Sequence, residues 1–154
     1  MSRKTVVILF GKVDLVDPPS SPDADVLLTP AIRERLLANW KVGDADHVPV
    51  VKLFFPAGAH TWLITEMSPE QPDILFGLCD LGMGFPELGY VSLSELEDVK
   101  TVFGLGIERD LHFTARYPLS VYAEAARIAS GIVEDDEVLK QAAAKLAAER
   151  GTDR

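Results

Sequence analysis

PVVKLFFPAGAHTWLITEM, residues Pro49 to Met67, decides how this chain is organised. Val50 to Phe55 is an apolar run broken only by Lys52, the pattern of a strand covered on both faces. Pro56 ends it, because a proline ring has no N–H to contribute to a ladder. After the short AGAH connection, Thr61 to Met67 resumes as a second strand. Its side chains alternate, so Trp62, Ile64 and Glu66 are expected on one face and Leu63, Thr65 and Met67 on the other. So short a link predicts an antiparallel hairpin.

Toward the C-terminus, the polar turn SPEQPD leads into a strand from Ile74 to Leu81. Gly82, Gly84 and Gly89 surround Phe85, Pro86 and Glu87, which marks a loop where the backbone needs positive φ or a close approach. Leu88 to Leu93 reads as another strand. Ser92 or Ser94, with Glu95 or Glu97 three residues on, supplies the Ser-x-x-Glu cap of a short helix. IERDLHF, residues 107–113, alternates well enough to predict a final strand with Ile107, Arg109, Leu111 and Phe113 on one side. Pro118 and Ser120 then open a helix lined by Val121, Ala125 and Ile128 and closed by Gly131. From Glu134 to Arg154 the pattern is helical again, with acidic residues at the positive end of the helix dipole. Val138, Ala142 and Leu146 make only a thin apolar stripe there, so loose docking is expected.

Toward the N-terminus, Thr29 is a good N-cap and Pro30 suits a first helical turn. Ile32, Leu36, Leu37 and Trp40 recur at helical spacing up to a stop near Gly43. Thr5 to Phe10 is rich in β-branched residues and reads as a strand, expected to add to an edge of the main sheet. DLVDPPSSPDAD, from Asp14 to Asp25, reads as an exposed linker. The expectation is an α+β fold: an antiparallel sheet of four or five strands packed against two helices, with an added N-terminal strand and C-terminal helix. Its parts are an N-terminal strand and linker over 1–26, a single domain over 27–133, and a helical extension over 134–154.

Composition bounds what such a domain does. A chain of 154 residues buries about 70% of its unfolded surface, enough for one core without staples. The single cysteine, Cys79, has no internal partner, which together with the absence of an export signal favours a cytoplasmic setting. No run approaches the roughly 20 apolar residues of a membrane-crossing helix. A formal charge of −9 repels phosphates, so direct nucleic-acid binding is disfavoured.

The stretches LLTPAIRERLLAN (27–39), PVVKLF (49–54), TWLITE (61–66), FGLCDLGMGFPELGYVSLSEL (76–96) and ERDLHF (108–113) together resemble the family catalogued as domain of unknown function 2958. The resemblance spans about Leu27 to Val133. It implies a small bacterial or phage domain, often carried by plasmids and integrative elements, with no assigned reaction and no catalytic residues to carry over.

Each candidate functional residue also has a plainer structural role. Glu66, placed beside Trp62 and Ile64, needs a cationic partner because burying a carboxylate alone costs several kcal/mol, and Arg109 or Lys52 is expected to serve. A pocket around Glu66, Glu87, Arg109 and Trp62, with Asp110 beside it, is the alternative. Phe85 sits between Gly84 and Pro86 on a loop, where binding groups are often displayed, and Trp62 and Tyr90 extend that aromatic set. Cys79 lies in an apolar strand and reads as a small hydrophobe. No histidine or cysteine pair has zinc-site spacing, the glycines lack a third position for a dinucleotide cradle, and no Gly-x-Ser-x-Gly elbow occurs, so neither a metal, a cofactor nor a catalytic residue is expected. The leading expectation is a non-enzymatic accessory protein with a protein partner. An enzyme or small-ligand binder, and an acidic inhibitor imitating DNA, are the alternatives. Oligomeric state is not set by the sequence.

Overall fold

The computed structural model describes the backbone of residues 5–9 and 12–16, and residues 26–152. Two strands, β1 (Thr5–Leu9) and β2 (Lys12–Val16), form an antiparallel sheet of their own, with Thr5 opposite Val16 and Leu9 opposite Lys12. This corrects two expectations. The first strand pairs with β2 rather than with the edge of the main sheet, and the first residues of the expected linker, Asp14 to Val16, belong to a strand. KVDLV alternates, and that period carried more weight than the Pro, Ser and Asp residues that follow it. Residues 17–25 of the linker lie outside the described residues.

Helix α1 (Pro30–Val42) starts as its sequence requires: Thr29 Oγ1 accepts from the Ile32 N–H at 3.2 Å, and Pro30 occupies the first turn. It stops where Gly43 takes φ 79° and returns its N–H to the Trp40 carbonyl. The main sheet follows as β3 (Val51–Phe54), β4 (Thr61–Met67), β5 (Ile74–Asp80) and β6 (Glu87–Ser92). Ser92 caps α2 (Leu93–Asp98) by accepting from the Glu95 N–H. The chain then crosses the sheet to β7 (Glu108–Arg109), giving the antiparallel order β6-β5-β4-β3-β7. Helices α3 (Leu119–Ala129) and α4 (Asp136–Thr152) complete the fold.

The sheet separates two cores. On one face, Val51, Leu53, Trp62, Ile64, Met67 and Leu75 pack under Leu36 of α1 and under Leu93 and Leu96 of α2. On the other, Leu63 and Leu78 pack under Leu119, Tyr122, Ala125 and Ala126 of α3 and Leu139 and Ala142 of α4. β3, β4, β5 and β6 divide their apolar residues between the faces, as pleating requires.

The alternation of β4 does not run unbroken. The β4–β5 register jumps between Ile64, opposite Gly77, and Glu66, opposite Phe76, so Thr65 is an extra residue in a β-bulge. The bulge reverses the expected faces at the end of the strand: Met67 joins Trp62 and Ile64 in the α1 core, and Glu66 turns to the face of Leu63 and Phe76. Two residues make the bulge possible. Any Cβ at position 77 would lie 2.0 Å from the Leu63 carbonyl oxygen, so only glycine fits. The Thr65 carbonyl, freed from the ladder, accepts from Asn39 Nδ2 of α1 at 2.9 Å.

Three helical and strand expectations also need correcting. β7 is two residues long, because Asp110 Oδ1 accepts from the His112 N–H and turns the chain out of the ladder. In α3 the buried face is Leu119, Tyr122, Ala125 and Ala126 with Val121, while Ile128 is exposed; the helix ends on Ser130 in the left-handed region, φ 60°, rather than on Gly131. Helix α4 is firmly docked, with Leu139 and Ala142 fully buried and Asp135 Oδ1 accepting from the Glu137 and Val138 N–H groups at its start.

Candidate functional site

The sheet disperses the candidate residues chosen from sequence. Arg109, Leu53, Trp62, Cys79 and Glu87 form one row across β7, β3, β4, β5 and β6. Trp62 is buried in the middle of that row, stacked on His60 with ring centroids 6.2 Å apart. Arg109 and Glu87 stand at opposite edges, four strand spacings or roughly 19 Å apart. Glu66 is on the other face. The expected pocket of Glu66, Glu87, Arg109 and Trp62 is therefore not assembled. Burial raises the Cys79 thiol above its ordinary pKa, in keeping with a small hydrophobe.

Asp110 belongs to a separate cluster. Lys52 Nζ lies 3.2 Å from Asp110 and also pairs with Glu134. Burial works against the Lys52 charge, but Glu134 and Asp110 outweigh it and raise its pKa. Burial likewise opposes the Asp110 charge, yet the His112 N–H and Lys52 hold that carboxyl below its ordinary value. Lys52 is thus committed to this cluster, which joins β3 to the start of the C-terminal region, and it does not serve Glu66.

Glu66 and Tyr90 do come together. Beyond the start of α3, the sheet face carrying Glu66, Phe76 and Tyr90 is only partly covered, and the chain leaving α1 passes beside it. The result is a recess of about 380 Å³ walled by Trp40, Phe76 and Tyr90, with Asp44 and Glu66 at its rim. The Phe76 and Tyr90 rings lie 5.2 Å apart and are tilted by 57°. A second recess of about 310 Å³ shares Asp44, Glu66 and Phe76 and reaches His47, Leu88 and the start of α3. His47 is tied by its carbonyl to the Leu119 N–H, and Asp46 Oδ1 accepts from the Ser120 N–H, so the 44–47 segment is pinned to α3. Burial raises the Glu66 pKa; His47 counteracts this, and Asp44 adds to it by repulsion. Among the described residues no cation lies within 4.0 Å of the Glu66 carboxylate.

Beside this recess, the loop between β5 and β6 carries Met83 and Phe85, 75% and 81% exposed, and β6 adds Leu88 and Tyr90, 50% and 66% exposed. Gly82 and Gly84 take positive φ and project the loop, whereas Gly89 lies in the strand with ordinary φ and open space around it. Gly82 is also fixed by donating its N–H to Asp80 Oδ1 at 2.9 Å. Phe85 is thus exposed on its loop, and Glu87 is exposed at the start of β6.

Sequence reading missed Trp40, Asp44, His47 and Phe76 as recess residues. Trp40 fell on the apolar stripe of its helix and Phe76 in the apolar pattern of its strand, and the one signal for Asp44 and His47 was the run DADH after Gly43, which gives no direction. Among the described residues, no group of three or more His, Cys, Asp or Glu side chains is arranged to hold a metal ion, and no helix is long and apolar enough to cross a membrane.

Neither a curated protein nor a solved structure matches the chain. The family model described as Protein of unknown function (DUF2958) matches residues 27–133, which takes in the main sheet, α1, α2, α3 and every residue of the recess. On that match the chain belongs to the DUF2958 family of proteins of unknown function.

Proposed function

We propose that the protein is a non-enzymatic accessory module that binds another protein through the surface made by the β5–β6 loop and β6. The carrying observation is the set of large exposed apolar side chains, Met83 and Phe85 on the β5–β6 loop and Leu88 and Tyr90 on the edge strand β6. Contiguous exposed apolar groups of this kind mark interaction sites, and aromatic residues dominate the energetics of such contacts. The strand β6 adds a free sheet edge among the described residues and carries neither lysine nor proline, the residues that usually guard an edge. The same reading places the module in the bacterial cytoplasm in the service of a phage or other mobile element, the setting implied by the family resemblance. The DNA-imitating alternative has less support, because several carboxylates are already neutralised: Glu124 by Arg127 and Lys145, and Asp136 by Arg116 and Lys140.

The test is affinity capture from the host followed by reconstitution with the purified partner. Replacing Phe85→Ser together with Met83→Ser is expected to weaken the binary complex at least tenfold while the circular dichroism spectrum is unchanged. A complex of undiminished affinity would overturn the assignment of this surface.

A further inference from the structure

We propose that the recess between the α1 end and β6 takes an arginine side chain presented by the partner protein. The inference rests on the protein-binding reading above and names what that partner must bring. Three features of the recess converge on a guanidinium. Its walls are the faces or edges of Trp40, Phe76 and Tyr90, and a planar delocalised cation is attracted to aromatic rings. Its polar rim is made of carboxylates, Asp44 and Glu66, which offer acceptors and no competing donor. Its volume of about 380 Å³ is more than one ordered water fills.

Charge balance gives the direction. Lys52, the cation expected for Glu66, is held by Asp110 and Glu134 instead, and Arg109 shares the opposite sheet face. Glu66 is left half-buried beside a second carboxylate, with no cation within 4.0 Å of it among the described residues. A cation entering from outside would relieve that repulsion, and an anion would increase it. Arginine is favoured over lysine because its fork meets a carboxylate with two parallel hydrogen bonds and its plane stacks on the walls, where an ammonium offers one point charge. Tyr90 lines the recess and is itself one of the exposed apolar side chains, and the adjoining second recess reaches Leu88, so one partner can cover the apolar groups and insert the guanidinium together.

The probe is a blocked peptide, acetyl-Gly-Arg-Gly-amide, with the citrulline peptide as its neutral isostere and the lysine peptide as a third arm. Binding is read by NMR from the Trp40 indole N–H and the Tyr90 amide of the full chain. The arginine peptide is expected to saturate in roughly the millimolar range, with lysine weaker and citrulline at least tenfold weaker. Glu66→Gln is expected to narrow the difference between arginine and citrulline, leaving only the share due to Asp44, while the fold stays intact, since Glu66 has no ion-pair partner among the described residues. Equal shifts with arginine and citrulline, no shifts at all, or an unchanged preference in Glu66→Gln would each overturn the proposal. The reconstituted complex separates the two readings. A partner lost on changing Phe85 and Met83 but retained with Glu66→Gln refutes the arginine recess alone, whereas a partner retained in both variants refutes the binding surface itself.

Discussion

Replacing Leu139→Ala is the sharpest test of how this fold is held together, because Leu139 lies in a helix outside the family match yet is 1% exposed. It packs in the cluster that contains Leu63 and Leu78 of the sheet. The substitution removes three carbons, about 0.8 kcal/mol each in lost transfer energy, or about 2.4 kcal/mol in all. The cavity left behind adds to this and brings the expected loss to about 3–4 kcal/mol, within the range of buried Leu→Ala changes. At this chain length that corresponds to a fall in Tm of about 6–16 °C. Urea unfolding followed by far-UV circular dichroism and tryptophan fluorescence would check it. Trp62 reports the α1-side core and Trp40 the recess at the end of α1, so coincident transitions mean that α4 melts with the rest of the fold as one unit. A loss under about 1 kcal/mol, or helical signal lost before the fluorescence change, would refute the integral role of α4. Ile128→Ala is the control: the side chain is 55% exposed, and its truncation should cost less than about 0.5 kcal/mol.

Asp80→Asn should destabilise by about 1–3 kcal/mol in the same denaturation assay, because Asp80 is buried and uses both oxygens, Oδ1 for the Gly82 N–H and Oδ2 for the Ile132 N–H, while an amide offers only one acceptor. Glu124 is held down to about 2 by hydrogen bonds from Arg127 and Lys145, well below its ordinary 4.5. Its contribution is therefore present above about pH 4.5 and lost as the pH falls through about 2, so Glu124→Gln should cost about 1 kcal/mol at pH 7, given the solvent screening of both cations, and progressively less as the pH falls through 2. Glu66 has the opposite sign. Burial raises its folded-state pKa above 4.5, so its charge is a penalty that grows as the pH rises through that raised value. Glu66→Gln should match or exceed the parent in stability at pH 7, and the difference should vanish in thermal melts below about pH 4.

The elements built on strong local signals were legible in the chain. Thr29-Pro30 and Gly43 bracket α1 because a cap and a left-handed stop are local chemistry, and the hairpin of β3 and β4 follows from period and loop length. The places where expectation failed are those where one polar side chain redirects the backbone. Asp110 ends β7 by capturing the His112 N–H, an event that the alternation of IERDLHF does not announce. Ser130 closes α3 in a conformation for which Gly131 was the natural choice, and the apolar stripe of α4 looked thin because small alanines, Ala142 among them, fill the contact with α3. Small side chains let helices approach closely, but they score weakly in a hydrophobic pattern.

The location of the recess comes down to one inserted residue. With regular alternation, Glu66 would point into the α1 core beside Trp62, where an unpaired carboxylate is prohibitive, and Met67 would face the open side. The bulge at Thr65 exchanges them: Met67 is buried, and the carboxylate emerges on the opposite face beside the start of α3. That exchange needs a glycine at position 77 to clear the Leu63 carbonyl and an amide on α1 to receive the Thr65 carbonyl, and Gly77 and Asn39 supply them from two other elements. The helix that provides Asn39 also provides Trp40, the next residue, as a wall of the recess. The contact that makes the bulge tolerable is thus the contact that places the aromatic wall against Glu66, so the packing of α1 on β4 and the shape of the site are one structural decision.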